Sequence, residues 1–318
     1  MTRARIPDEI LSAAHARSRA RLAKEWVEAD RLRAVLEDAG WRVVDRGVDF
    51  RLEPAIPPDT VAGGATIHGS SASVLSRLGE PSARPATIVL LADHPADLAA
   101  ALAGLGDAGR SVAQVVAVAA EAVEVEPREG VEIVRMIQGA ALGARLNAGI
   151  RRATGAVIVV LDGTAAVRGD ILTPLMRALD HPSVAIAGGW GSRTDDLRTF
   201  TPVEADAEAD VIDLVCLAFR REDAVRIGPL DERLVDAVSL GAWLSLALRY
   251  GSAAPAIEDP PTPRGASVVR VPAERAADSR GANAATMDEA ARRAARRDFY
   301  RLRDAFGPLV AEKRTNRA

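Results

Sequence analysis

The feature that most constrains the fold of this chain is the alternation of short apolar runs with helical segments from Pro85 onward. Four runs have the length and composition of buried strands: ATIVLLAD, AQVVAVAA, VEIVRMI and AVIVVLD. Two helical segments, PADLAAALAGL and residues 139–153, lie among them. This order predicts an α/β fold, Rossmann-like, with a mostly parallel sheet flanked by helices.

Two aspartates, Asp93 and Asp162, come at the ends of predicted strands. The carboxyl ends of parallel strands meet at one edge of a sheet, which is where open α/β sheets bind ligands. We therefore expect both side chains to face one crevice.

Composition narrows the class of protein. Of 318 residues, 48% are hydrophobic, which predicts a packed core. No run of 18 apolar residues and no apolar signal core are visible, so we expect a cytoplasmic protein without a transmembrane helix. The single cysteine excludes an internal disulfide and a cysteine-built zinc site.

The charge pattern does not favour nucleic-acid binding. The net charge is −3, and the basic residues are nearly all arginine, with Lys24 and Lys313 as the lysines. From residue 291 to 318 there are nine Lys or Arg against three Asp or Glu. Because arginine replaces lysine almost throughout the chain, its abundance reflects a general compositional bias, and counting arginines overstates any signal for nucleic-acid binding.

The C-terminal basic helix is predicted over residues 291–306. An apolar stripe along it predicts packing on the parent domain: Ala295, Phe299, Leu302 and Phe306. Four arginines fall on the opposite side: Arg292, Arg293, Arg296 and Arg297. They predict a solvated face, with peripheral contact to anionic lipid headgroups as the alternative.

Composition divides the chain into four segments. Residues 1–53 predict a helical appendage that ends, after Gly40, in the hairpin WRVVDRGVDFRL. Residues 54–85, with PAIPP and AGGATIHGSSAS, have the composition of a linker. Residues 86–265 form the α/β domain, and residues 266–318 form a C-terminal extension.

The stretch RSRARLAKEWVEADRLRAVLEDAGWRVVDRG, Arg17 to Gly47, resembles the small C-terminal region of cysteinyl-tRNA synthetases. That resemblance implies an RNA-associated module within residues 8–53. The alternative is a helical docking appendage, which the nearly balanced charges of this segment favour.

The domain from Pro85 to about residue 255 resembles family 2 glycosyltransferases of the GT-A fold, and four stretches within it carry the resemblance. They are ATIVLLADHPADLAAALAGL, GARLNAGIRRATGAVIVVLDGT, GGWGSRTDDLRTF and CLAFRREDAVRIGPLDERL. The resemblance implies an inverting enzyme that passes a sugar from a nucleotide-diphosphate sugar to an acceptor hydroxyl. It also implies a divalent cation, Mn²⁺ or Mg²⁺, at the diphosphate, because hard cations prefer oxygen ligands.

The resemblance assigns a role to seven residues. Asp162 falls at the metal motif, and Trp190 falls on the acceptor side. Nucleotide-binding residues would be Asp93, Arg145, Asn147, Asp162 and Thr164. Asp236 would be the general base in place of the family's own carboxylates, because the implied reaction needs a carboxylate near the acceptor.

Each assignment has a plainer alternative. Asp162 and Asp93 are also typical of residues that cap the next turn or helix. Arg145 and Asn147 could lie on a solvated helix face. Asp236 could be an acidic loop residue beside Arg233, and Trp190 could lie in an ordinary loop.

The motifs also depart from the family's pattern. The second metal-motif aspartate falls on Thr164, and the catalytic carboxylates would fall within SLGAW, which has none. The last histidine is His181, so the late histidine that often completes metal binding is missing. Two hypotheses follow: a transferase with reduced activity, or an inactive relative that binds a nucleotide, a partner protein or another copy of itself.

Overall fold

The computed structural model describes residues 6–46, 49–54, 57–120, 128–251, 263–275 and 289–317. The chain divides into two compact units, Met1–Thr60 and Val61–Ala318. Each has a hydrophobic core of its own.

The first unit contains two helices and a two-stranded antiparallel sheet. Its elements are α1 (Asp8–Leu22), α2 (Trp26–Asp38), β1 (Trp41–Arg46) and β2 (Asp49–Pro54). The predicted hairpin is confirmed, with Trp41 paired to Pro54. The predicted helical stretch is broken at Lys24, whose φ of +61° ends α1, and Gly40, at φ +81°, follows α2.

The second unit is an α/β domain built on one ten-stranded sheet. Its first strands are β3 (Thr60–Ala62), β4 (Ala65–His68), β5 (Arg84–Ala92), β6 (Ala113–Ala120), β7 (Val131–Met136), β8 (Gly155–Asp162) and β9 (Ala166–Val167). Its later strands are β10 (Val184–Gly188), β11 (Gly191–Arg193), β12 (Thr201–Pro202), β13 (Glu208–Ala209), β14 (Val211–Ile212), β15 (Cys216–Arg220), β16 (Gly265–Val268) and β17 (Ala273–Glu274). Its helices are α3 (Pro95–Val112), α4 (Leu142–Arg151), α5 (Leu172–Leu179), α6 (Arg221–Ile227), α7 (Ala237–Tyr250) and α8 (Glu289–Arg317).

The large sheet is mostly parallel. Its strand order is β13-β16-β10-β15-β8-β5-β6-β7-β4-β3. The pairs β8–β5, β5–β6, β6–β7, β7–β4 and β10–β16 are parallel. β15 runs against both of its neighbours, β8 and β10. The predicted α/β class, a mostly parallel sheet flanked by helices, is therefore confirmed.

Alternate residues of each strand feed two cores, one on each face of the sheet. Val89 and Leu91 of β5 join the core under α4 and α7, while Ile88 and Leu90 join the core under α3 and α5. The turn from α4 into β8 lies so close to β5 that a side chain on Gly155 would overlap the Ala86 backbone.

Part of the segment predicted as a linker, residues 54–85, belongs to the sheet instead. β3 and β4 are neighbours joined by Gly63 and Gly64, which both have positive φ, as a tight hairpin turn requires. Ile67 of β4 is 2% exposed, and β4 pairs in parallel with β7. The glycine-rich composition marks this turn and not a linker throughout.

The predicted domain end at residue 265 also differs from the structure. β16 begins at Gly265 and lies between β13 and β10, so the sheet extends into the predicted C-terminal extension. The predicted basic helix is confirmed as α8, which runs further than predicted, from Glu289 to Arg317.

Candidate functional site

The carboxyl edge of the sheet brings Asp93 and Asp162 together. β5 and β8 are adjacent and parallel, with Leu91 opposite Asp162, and Asp93 follows two residues after Leu91. The predicted placement of both aspartates at one edge is confirmed.

Arg145 ties the ends of two strands to α4. Its side chain is buried, and it donates to the carboxylate of Asp93 and to the carbonyls of Ala92, at 2.9 Å, and Val118, at 3.3 Å. The alternative of a solvated helix face is wrong for Arg145. Asp93 is paired with it and precedes the N-cap residue of α3, His94, so the cap alternative for Asp93 is wrong too.

Asp162 closes the turn that follows β8. Its side chain is 1% exposed, and Oδ1 accepts the Thr164 N–H at 3.0 Å and the Thr164 hydroxyl at 2.9 Å. Gly163 between them donates to the Leu91 carbonyl at 2.9 Å, and a Cβ there would lie 3.0 Å from that oxygen. The turn therefore holds Asp162 and Thr164 tightly beside β5, in the capping arrangement. Their nucleotide roles remain predictions.

Asn147 holds the loop that precedes α7. Its Nδ2 donates to the Leu230 carbonyl at 2.9 Å, and its Oδ1 accepts the Leu230 N–H at 3.0 Å. The side chain is 3% exposed, so the solvated-face alternative is wrong. Both Nδ2 and Oδ1 of Asn147 therefore already have hydrogen-bond partners within the chain, and its role in nucleotide binding stays a prediction.

Trp190 belongs to a second group at the same edge, with Asp213 and Arg275. Trp190 follows β10, and its carbonyl accepts the Asp213 N–H at 3.0 Å. Arg275 donates to the Asp213 carboxylate, and its guanidinium carbon lies 5.5 Å from the centre of the Trp190 ring, a cation–π arrangement. We call Asp93, Arg145, Asp162, Thr164, Trp190, Asp213 and Arg275 the strand-end cluster.

Sequence reasoning missed Asp213 and Arg275. Asp213 comes shortly before the strand CLAFR, a signal of the kind that identified Asp93 and Asp162, but that strand runs the other way. Arg275 follows a strand of two residues, which has no readable periodicity. Neither position matches a motif.

Asp236 lies at the start of α7 as its N-cap. Its carboxylate accepts the Ser239 N–H at 2.8 Å. The Asp236 N–H and the Val235 N–H both donate to Oδ2 of Asp298, at 2.8 Å. Arg233 pairs with Asp231. A role for Asp236 as general base remains a prediction.

Cys216, the first residue of β15, lies beside the strand ends but is fully buried. Burial raises the pKa of its thiol to about 12. The thiolate, which is the nucleophilic form, is therefore scarce at neutral pH, and Cys216 is not a candidate nucleophile.

An apolar cavity of about 220 Å³ lies away from the strand-end cluster. Phe219 and Ile150 line it, and both sit toward the opposite edge of the sheet. Arg151, also in its wall, is engaged with the Val74 carbonyl at 2.8 Å. Its described wall includes Asn147, one of the predicted nucleotide-binding residues, but none of the seven residues of the strand-end cluster.

The side chains at the metal motif do not fit a divalent cation. Such a cation takes several oxygen ligands, whereas Asp162 has only Thr164 in place of a second carboxylate. Among the described residues, no three His, Cys, Asp or Glu side chains are grouped to hold a metal ion. The predicted cation therefore has no recognisable ligand set in this part of the chain.

Within the residues that the structure describes, no helix is long and apolar enough to span a membrane.

Comparison with known proteins matches a family model over part of the chain and also finds similar solved structures. No curated protein matches the chain significantly. A crystal structure of GalNAc-T7 with UDP, GalNAc and Mn²⁺ is similar at 12% identity and a TM-score of 0.43, over 63% of this chain and 45% of that one. This chain thus spans less than half of the length of that protein.

The family match covers the centre of the domain. Residues 109–224 match glycosyl transferase family 2. That range includes β8 and five members of the strand-end cluster: Arg145, Asp162, Thr164, Trp190 and Asp213. The central part of this α/β domain is therefore similar to glycosyl transferase family 2.

Proposed function

We propose that this chain is a glycosyltransferase that moves a sugar from a nucleotide-diphosphate sugar to an acceptor hydroxyl. The observation that carries the proposal is the position of Asp162. It ends β8 inside the family-matched range, beside Asp93 and Arg145 at the carboxyl edge of the sheet. Ligands of parallel α/β sheets bind at this edge.

Asp162, Thr164, Arg145, Asn147 and Asp93 would face the nucleotide in this proposal, and Trp190 would lie on the acceptor side. A carboxylate is suited to accept hydrogen bonds from hydroxyl and N–H groups of a nucleoside. An aromatic ring is suited to pack on the apolar face of a sugar. On a shared scaffold of this kind, the loops around the site determine the donor sugar and the acceptor.

Asp236 is the proposed general base, because its loop reaches the carboxyl edge. α4 follows β7 and so begins at that edge, where the Gly143 N–H donates to the Leu234 carbonyl at 2.8 Å. Asp236 would take the proton of the acceptor hydroxyl while the new C–O bond forms at the anomeric carbon and the bond to the diphosphate breaks. Such catalysis contributes about 10²–10⁴-fold.

The alternative is a protein that binds a nucleotide, a protein partner or a second copy without transferring a sugar. One observation favours it: the carboxylates of Asp93, Asp162, Asp213 and Asp236 all accept hydrogen bonds from other groups of this chain. Carboxylates that accept hydrogen bonds within the chain can stabilise the fold without taking part in a reaction.

Calorimetric titration with UDP and GDP, each in Mn²⁺ and in EDTA, tests the proposal. We expect one nucleotide to bind, and Asp162→Asn to weaken it about tenfold or more, or about 1.4 kcal/mol. Asp180→Asn is the matched control, because Asp180 is exposed after α5, at the opposite edge. A folded protein that binds neither nucleotide in either buffer would contradict the proposal.

Turnover separates the two functions. With UDP- and GDP-sugars, release of the nucleoside diphosphate identifies a transferase, and Asp236→Asn should abolish release while leaving nucleotide affinity unchanged. Binding without release in the wild-type protein would support the non-transferring alternative.

A further inference from the structure

Arg275 and its partner Asp213 are the two members of the strand-end cluster to which the family resemblance assigns no role. The Arg275 side chain is 28% exposed, so solvent and a ligand can reach it, and it pairs with Asp213 over the Trp190 ring. Its Nε atom is buried and has no hydrogen-bond acceptor among the described residues.

Backbone pairing places Arg275 beside the Asp162 turn. β17 is antiparallel to β9, with Glu274 opposite Ala166, so Arg275 continues toward the turn formed by residues 162–165. Asp213, its partner, lies two residues before Val215, whose carbonyl accepts the Asp162 N–H at 2.9 Å. Two independent connections therefore bring Arg275 to the edge where Asp162 lies.

A guanidinium in this position suits a diphosphate. Its planar set of N–H donors matches two phosphate oxygens at once, and its charge is permanent. The metal motif at Asp162, in contrast, has Thr164 at the position where the family has a second metal-binding carboxylate. The local positive charge therefore comes from an arginine, in a place where the described residues offer no cluster of metal ligands.

We propose that Arg275, and not a divalent cation, neutralises the diphosphate of the nucleotide in this site. The inference rests on the proposed function, since it concerns the ligand of the same site. Asp213 holds the guanidinium over Trp190 when no nucleotide is bound, and the diphosphate displaces that carboxylate as the partner of Arg275.

Titration in EDTA tests the metal independence. We expect UDP or GDP to bind the full chain with the same Kd, within about twofold, in EDTA and in Mn²⁺. Binding that appears only with Mn²⁺ would overturn this inference and leave the proposed function standing. Binding in neither buffer would overturn both.

The two halves of the ion pair test the role of Arg275, because their effects should be opposite. Arg275→Gln should weaken the nucleoside diphosphate about tenfold or more but leave the affinity for the bare nucleoside unchanged. Asp213→Asn should tighten the diphosphate about twofold or more, because it removes the carboxylate that competes for the guanidinium. A purely structural ion pair would give weaker binding, or no change, in both variants.

Arg168→Gln is the matched control. Arg168 is 66% exposed in its side chain and pairs with Glu274, next to Arg275. Its loss should leave the nucleotide affinity within about twofold of wild type, as expected for an exposed ion pair. The melting temperature of each variant shows whether it folds, and Arg275→Lys serves as the test if Arg275→Gln folds poorly. Partial binding of the nucleoside diphosphate by a folded Arg275→Lys variant supports the proposal. Full binding by a folded Arg275→Gln variant contradicts it.

Discussion

At the scale of single residues, Asp298 is a carboxylate with a structural task. It lies on α8, is 1% exposed, and accepts the Val235 and Asp236 N–H groups at the start of α7. Burial raises the pKa of this carboxyl above its ordinary value of 3.8, against the lowering effect of those two N–H groups and of Arg301. The proton is therefore held more tightly in the folded protein than in the unfolded chain.

The sign of the pH dependence follows from that shift. The stabilising contribution of the bound proton is complete below the unfolded pKa and is lost as the pH rises through the higher folded pKa. Asp298→Asn keeps an acceptor oxygen without a charge, so its free energy of unfolding relative to wild type should rise as the pH increases from about 4, near the pKa of an unfolded aspartate. Urea unfolding at a series of pH values measures the difference.

Asp298→Ala is the companion variant. It leaves two backbone N–H groups without their acceptor and should cost about 1–3 kcal/mol. If wild type instead gains stability relative to Asp298→Asn as the pH rises, the assigned direction is wrong.

Individual site residues were predictable only where a local pattern marks them. Asp93 and Asp162 follow apolar runs, and parallel strands send such residues to one edge. The partner of Arg145 was not predictable, because Asp93 is 52 residues away in the chain. Arg275 was missed because its neighbours depend on the pairing of β9 with β17.

At the scale of elements, α8 is the clearest case in which a sequence pattern predicts packing. Its apolar stripe meets α7, where Phe306 is 0% exposed and packs edge-on against Trp243 at 5.2 Å between ring centres. The described arginines of the opposite side, Arg292, Arg293, Arg296 and Arg297, are exposed. The predicted docking on the parent domain is confirmed, and contact with lipid headgroups stays a prediction.

Phe306→Ala should cost about 3–5 kcal/mol in the free energy of unfolding, because it removes a fully buried aromatic side chain. Arg297→Ala, on the exposed face of the same helix, should change stability by less than about 0.5 kcal/mol. Chemical denaturation of both variants measures the contrast, and equal effects would mean that α8 does not pack as described.

Short strands explain most of the elements that the sequence did not reveal. The central strands β5, β6, β7 and β8 were all predicted, since each has six or more residues of apolar pattern. Strands of two or three residues, such as β3, β9 and β17, are too short to show a period of two. They form through pairing that the sequence does not show: β9 pairs with β17, and β3 lies beside β4.

At the scale of the whole molecule, the two units keep separate cores. Ile10, Ala14 and Leu36 pack with the β1–β2 hairpin in the first unit, and Arg17 makes two bonds to Asp45, at 2.8 and 3.0 Å. No member of the strand-end cluster belongs to that unit. The resemblance of its residues 17–47 to a tRNA synthetase region stays a prediction.

A chain that begins at Pro57 should therefore fold and bind nucleotide with a Kd within about twofold of the full chain. Circular dichroism with thermal unfolding checks the fold, and the UDP and GDP titrations check the site. Loss of binding by a folded truncated chain would show that the first unit contributes to the site.

The late position of β16 has a consequence for how the protein is made. β16 pairs with β10 in parallel, yet the ribosome synthesises it long after β10, with β11 to β15 in between. While Gly265–Val268 is still inside the ribosome, β10 lacks its neighbour on that side, and an unpaired strand edge invites pairing with other chains. A nascent chain that stalls before Gly265 would expose this apolar edge, VAIAG, and we expect such fragments to aggregate or to be degraded.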